Sequence, residues 1–355
     1  MQKPALHLFV VAVVFAAVVP ASAGTLVVAN KSEATVSLVD TETSEIRATL
    51  PTGNAPHEVD VSPNGRFALV GNYGTREEPG SSLTVIDVAA AKVVKTIELG
   101  EYLRPHGIVW LDNNTALVTV EENQALIRVD IESGEVAQEI GTDAEISHMV
   151  AVAKEHGLAF VANIGSGSVT VIDLALGTSL GNIPTGEGAE GIAVTPNGRQ
   201  VWVTNRAEDT ITVINAAKRA PIAKIDAGEF PIRAETTADG RFVLVTNAKG
   251  DDLSVYSTSE MNEVGRISFT SVSKGDQGRL FSDRFGDSSV PIGIEIVDEE
   301  MRAYIAHANA DDISIIDLKQ GKVVGTLSAG REPDGMGYSP LVPTHEESEP
   351  ATPES

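Results

Sequence analysis

The stretch "EGIAVTPNGRQVWVTNRAEDTITVIN" (residues 190–215) reads as strand, tight turn, strand, polar turn, strand. "GIAVT", "QVWVTN" and "TITVIN" are rich in Val, Ile and Thr and alternate apolar with polar side chains, which favours β structure over helix. "PNGR" supplies turn chemistry, with Pro fixing φ and Asn-Gly tolerating left-handed backbone. The same plan recurs on both sides of this stretch. With Glu190 as a reference position, the equivalents are His57, His106, His148, Ile232, Ile292 and Asp334. Successive reference residues are 49, 42, 42, 42, 60 and 42 positions apart, so four steps are identical. The two longer steps hold the same unit with insertions at 73–82 and 271–290.

A fourth, shorter strand closes each unit, as in "KVVKTIEL" (92–99) and "KVVGTLSA" (322–329). Four antiparallel strands in about 40 residues make a β-propeller blade. Six full units are present. Before them, 25–30, 35–40 and 45–51 supply the second, third and fourth strands of another blade. After them, 334–340 supplies only its first strand. The sequence therefore predicts an all-β, seven-bladed β-propeller over residues 24–340, with the two ends sharing one blade.

The ends and the bulk composition narrow the setting. Lys3, the apolar run "LFVVAVVFAAVV" (8–19) and "PASAG" (20–24) read as a signal peptide over 1–23, cut after Ala23. No second hydrophobic stretch follows, so a periplasmic or extracellular monomer without a transmembrane segment is expected. The Pro-, Glu- and Ser-rich end, 341–355, reads as a disordered acidic tail. The chain has no cysteine, which excludes disulfides, thiolate zinc sites, iron–sulfur clusters and covalently attached c-type haem. A net charge of −24 argues against nucleic-acid binding.

"FALVGN", "AFVANIGSGSVTVID" and "VWVTNRAEDTITVIN" resemble the YVTN-type, WD40-like repeat of seven-bladed propellers, YncE-like and cytochrome d1 haem-domain-like proteins among them. The resemblance covers nearly all of 25–340. It implies the fold directly and function only broadly: similar propellers include non-enzymatic periplasmic and surface proteins, haem d1-binding domains, lactonases and subunits associated with quinoprotein systems. The chain lacks the CxxCH haem attachment found beside some haem d1 propellers.

The reference residue opens the innermost strand. The end of the second strand lies 15 positions later, at Asn72, Glu121, Asn163, Asn205, Asn247 and His307, with Asn30 completing the ring. Antiparallel pairing puts both positions on one face, at the channel mouth, and both insertions join strands on that face. The Asn residues suit strand ends entering loops. Glu121 and His307 depart from that pattern.

His57, His106 and His148 recur because the repeat recurs, yet repetition does not fix the residue type. Three imidazoles with a nearby carboxylate are a candidate site for zinc or copper. Inter-blade hydrogen bonding is the alternative. Arg206, Arg233, Arg279 and Arg284 cluster on this face of an acidic chain, as does Arg104. Guanidinium groups bind carboxylate or phosphate bidentately, so a small anionic ligand is expected, unless these arginines pair with Glu58, Glu121, Glu190 and Glu332.

The expected ligand-binding set is thus His57, His106, His148, Glu190, Arg206, Arg233, His307, Asp334, Arg279 and Arg284. The expected function is binding of a ligand, a metal or a partner protein, as a scaffold, at the channel mouth. The alternative is an enzyme on the same face: a lactone hydrolase using His148, Glu190, Arg206 and Arg233, or a metal-dependent redox enzyme. The long insertion, with Phe281 and Phe285 beside Arg279 and Arg284, is expected to fold over the mouth.

Overall fold

The computed structural model describes residues 24–275, 278–279 and 284–343. The expected signal peptide, Phe281 and most of the expected tail lie outside the described residues. Seven four-stranded antiparallel sheets are present. Blades 1 to 6 are numbered by their innermost strands: Pro56–Val61, Pro105–Trp110, Ser147–Ala153, Ala189–Val194, Pro231–Thr236 and Pro291–Val297. Blade 7 is built from both ends. Its innermost strand, Pro333–Ser339, pairs with Thr25–Asn30, with Leu26 opposite Tyr338 and Val28 opposite Met336. Thr35–Asp40 and Ile46–Pro51 complete it. This closure removes the free inner edge that an open sheet would expose.

The core lies between blades. Leu69, Leu83 and Val85 of blade 1, for example, pack with Val118 and Ile127 of blade 2 in one buried cluster. Outer strands alternate exposed and covered residues, as at Lys92–Glu98, because only one of their faces meets a neighbouring blade.

Around the axis, the innermost strands approach very closely. The residue after the reference position is glycine in four blades, at Gly107, Gly191, Gly293 and Gly335. A Cβ on Gly293 would stand 2.0 Å from the carbonyl oxygen of Asp334, and one on Gly335 would stand 2.4 Å from that of His57. The other three blades carry Glu58, Met149 and Arg233 there.

Three residues past the reference position, Asp60, Glu235 and Glu295 each accept a backbone N–H from the next blade: Trp110 at 3.0 Å, Ile296 at 3.2 Å and Tyr338 at 3.1 Å. These carboxylates therefore staple blade to blade. They also line a chamber of about 220 Å³ in the channel.

The strand-end asparagines are structural. Asn30, Asn72, Asn205 and Asn247 donate through Nδ2 to a hydroxyl on the third strand of the same blade, at 2.9–3.1 Å. The first insertion extends a hairpin: the second strand of blade 1 runs Phe67–Gly74 and the third Pro79–Asp87, with Gly74 paired to Pro79.

Candidate functional site

Three imidazoles from blades 1, 2 and 3 stand in a row at the mouth. The His57 and His106 ring centroids are 4.1 Å apart, those of His106 and His148 are 3.6 Å apart, and His57 to His148 is 6.4 Å. All three side chains are buried, His106 completely. Circular closure is what brings them together, since they come from positions far apart in the chain.

The outer two rings are each held by a charged partner. Lys31 Nζ lies 2.6 Å from His57 Nε2 and 3.3 Å from Asp334 Oδ2, and that same oxygen lies 3.2 Å from His57 Nδ1. His148 Nδ1 is bonded to Glu121 Oε1, and Glu121 Oε2 accepts the Tyr73 hydroxyl at 2.5 Å. His148 Nε2 is 3.4 Å from Glu190 Oε1. Glu190 pairs with Arg206 and with Arg233, and Arg233 reaches across the axis to Glu58.

His106 differs from its neighbours. Among the described residues, neither of its ring nitrogens has a hydrogen-bond partner, and His57 Nδ1 and His148 Nε2 have none of good geometry. Buried polar atoms normally find partners, so the two orphaned nitrogens of His106 need an explanation.

Electrostatics favour the neutral, ligating form at two of the three rings. Burial, then the charge of Lys31, holds His57 well below the usual histidine range. Burial, then His148 and His57, does the same for His106, so both rings are neutral near pH 7. Burial opposes the protonation of His148, but Glu121 and Glu190 outweigh it and raise that ring. Burial also opposes the ionisation of Glu190. The hydrogen bond from His148 and the charges of Arg206 and Arg233 overcome it and bring Glu190 down to about 2. Four carboxylates (Glu58, Glu121, Glu190, Asp334) and three basic side chains (Lys31, Arg206, Arg233) surround the imidazoles.

Two sets of three side chains present ligand atoms within 4.8 Å of one another: His57, Glu58 and His106, and His106, Glu121 and His148. Donors on one tetrahedral zinc stand roughly 3–3.5 Å apart. Closing either set on an ion therefore needs side-chain shifts of about 1 Å.

The remaining expected residues divide. Glu190, Arg206, Arg233 and Asp334 join the cluster. His307 does not, which corrects the expectation from sequence. It is fully buried in the asparagine role, with Nε2 2.8 Å from Ser314 Oγ and Nδ1 2.8 Å from Ser289 Oγ, so both nitrogens are spent. Arg279 is likewise committed. It holds Asp311 bidentately at 2.7 and 2.6 Å and anchors the long insertion to blade 6. Phe285 packs with Ile232 and Ile292, covering the two apolar reference positions. Arg284 is exposed over Phe230, 4.9 Å from its centroid, and shares a pocket of about 670 Å³ with Arg206.

The sequence reading named Glu58 only as a pairing partner for the arginines, and it missed Tyr73 and Lys31 as parts of the site. Glu58 carried a signal: it stands where most blades need glycine.

Two family profiles match the chain: YNCE-like beta-propeller over residues 12–116 and cytochrome D1 heme domain over residues 110–346. The second covers more than half of the sequence, and the chain belongs to the cytochrome D1 heme domain family. Among solved structures, a functionally unknown protein from Desulfotomaculum acetoxidans DSM 771 is similar, at 17% identity and a TM-score of 0.70, covering 90% of this chain and 99% of that one. Kuenenia stuttgartiensis hydrazine synthase is similar at 19% identity and a TM-score of 0.66, covering 82% and 92%. Both likenesses concern the fold. No curated protein matches the sequence.

The family raises the question of haem, and neither the channel nor the pocket beside Arg206 fits it. An axial ligand must turn a donor toward an open slot. Here the axial imidazoles are buried against one another, and the Glu58–Arg233–Glu190 chain bars the channel below them. The 220 Å³ chamber is smaller than ordinary ligand pockets. The 670 Å³ pocket has no His, Cys, Met or Tyr in its lining.

Proposed function

We propose that this chain is an exported, monomeric metal-binding propeller, with one zinc or copper ion at the channel mouth. His106, the one residue common to both sets, would hold the ion, with His148 and Glu121 or His57 and Glu58 as the other donors. The observation that carries this reading is His106, a fully buried imidazole with two orphaned nitrogens between two more imidazoles. Neutral imidazole is the form that ligates, and burial keeps His57 and His106 neutral.

Binding is favoured over turnover. His148, Glu190, Arg206 and Arg233, the set expected of a lactone hydrolase, are linked in one network of ion pairs and are largely buried. Export rests on the leader-like sequence at 1–23, and among the described residues no helix is long and apolar enough to cross a membrane.

Ligand that binds only the folded state raises the melting temperature. Zinc or copper should therefore raise that of the wild type near neutral pH and leave that of His106→Ala unmoved. An equal rise in both, or none in the wild type, would count against the reading.

A further inference from the structure

A second cavity lies beside the histidines, on the rim formed by blades 7, 1 and 2. Its volume is about 590 Å³, and its wall includes Lys31, Tyr73, Arg76 and Arg104, with Ala55 and Glu77. We propose that this cavity binds a small organic carboxylate with a flat apolar body. The proposal stands apart from the metal reading and does not require it.

Three observations support it. First, three cations from three blades converge on one cavity in a chain of net charge −24. Second, two of them gather around one ring: the Arg104 guanidinium is 5.0 Å and Lys31 Nζ 5.9 Å from the Tyr73 centroid. Third, the wall is pre-organised. Tyr73 is fixed through its hydroxyl to Glu121, Arg104 donates to Glu122 at 2.8 Å, and Arg104 also donates to the Arg76 carbonyl at 3.4 Å. The first insertion and the opening of blade 2 are thereby tied together.

The chemistry selects the ligand class. Guanidinium forks suit a carboxylate, and an ammonium adds a point charge. The Tyr73 ring, the Ala55 methyl and the aliphatic stems of the arginines suit an apolar body better than a fully hydrated ion. Ligand held here would lie next to His57, whose ring centroid is 5.2 Å from that of Tyr73.

Titration calorimetry on the metal-free full chain tests this with benzoate, the neutral benzamide and inorganic phosphate. Benzoate should bind saturably, and the other two at least about tenfold more weakly. Arg76→Ala/Arg104→Ala should weaken benzoate by at least about tenfold, with melting temperature and zinc binding unchanged. Arg76→Ala alone sits at an exposed turn and keeps the test readable if the double variant does not fold; it too should weaken benzoate. Absence of saturable benzoate binding, or equal binding by the variants, overturns the proposal. Equal affinity for benzamide removes the carboxylate from it, and equal affinity for phosphate removes the apolar body.

Discussion

Glu121 of blade 2 bonds Nδ1 of His148 on blade 3, which leaves His148 Nε2 as the nitrogen without a hydrogen bond of good geometry. A carboxylate on one imidazole nitrogen fixes the tautomer and makes the other a better donor to a metal. Glu121→Gln should therefore lower zinc affinity by about 10–100-fold, the usual cost of losing such a partner. Competition with a chelator of known affinity measures this. Unchanged affinity in the variant would remove Glu121 from the site.

Closure of the ring predicts unequal effects of truncation. Deleting 333–355 removes the innermost strand of blade 7 and leaves Thr25–Asn30 as an uncovered edge. That protein should melt far below the wild type or fail to fold. Deleting only 344–355 should leave the melting temperature nearly unchanged. Similar melting of the two truncated proteins would show that the terminal pairing contributes little.

Close approach at the axis makes Gly293 intolerant of a side chain. Gly293→Ala would set a methyl 2.0 Å from the Asp334 carbonyl oxygen, and overpacking of this kind costs about 1–3 kcal/mol. Urea denaturation should show that loss, whereas Gly321→Ala, with no atom within 4 Å of the added carbon, should cost only the strain of its φ of +61°, about 1 kcal/mol. A Gly293→Ala protein as stable as the wild type would mean that the innermost strands have room to move apart.

The channel carboxylates predict how stability follows pH. Burial, against the Ile296 hydrogen bond, pushes Glu235 up to about 8. The folded chain then keeps this proton up to about pH 8, whereas the unfolded chain releases it near pH 4–5. Between those values the folded state binds more protons, so stability falls as pH rises. Melting temperature should decline from pH 6 to pH 9, and Glu235→Gln should flatten the decline. A wild-type melting temperature that climbs over this interval would contradict the assignment.

The fold was legible because the repeat was. The 42-residue spacing from His106 to Ile232 marked the blades, and the half-units at 25–51 and 334–340 marked the closure. The reference position also gathered His57, His106, His148, Glu190 and Asp334 onto one face. That arginines pair with Glu58 and Glu190 was anticipated, but which arginine meets which carboxylate across the axis was not legible. Arg233 meets Glu58, 175 residues away, and nothing local in either stretch specifies that partner. His307 misled for a physical reason. Its departure from the asparagine pattern looked functional, yet imidazole has a donor and an acceptor and can take over the amide's structural bonds, here to Ser289 and Ser314. Insertion length pointed to this face but not to the rim pocket, since two of its walls, Lys31 and Arg104, lie in neighbouring blades.

Elemental analysis with native mass spectrometry tests the central claim most directly. The wild-type chain, exposed to zinc or copper and freed of excess, should retain one ion per chain near neutral pH. His106→Ala should retain none while keeping its fold. A wild-type chain that retains no metal, or a His106→Ala chain that retains as much as the wild type, would contradict the account.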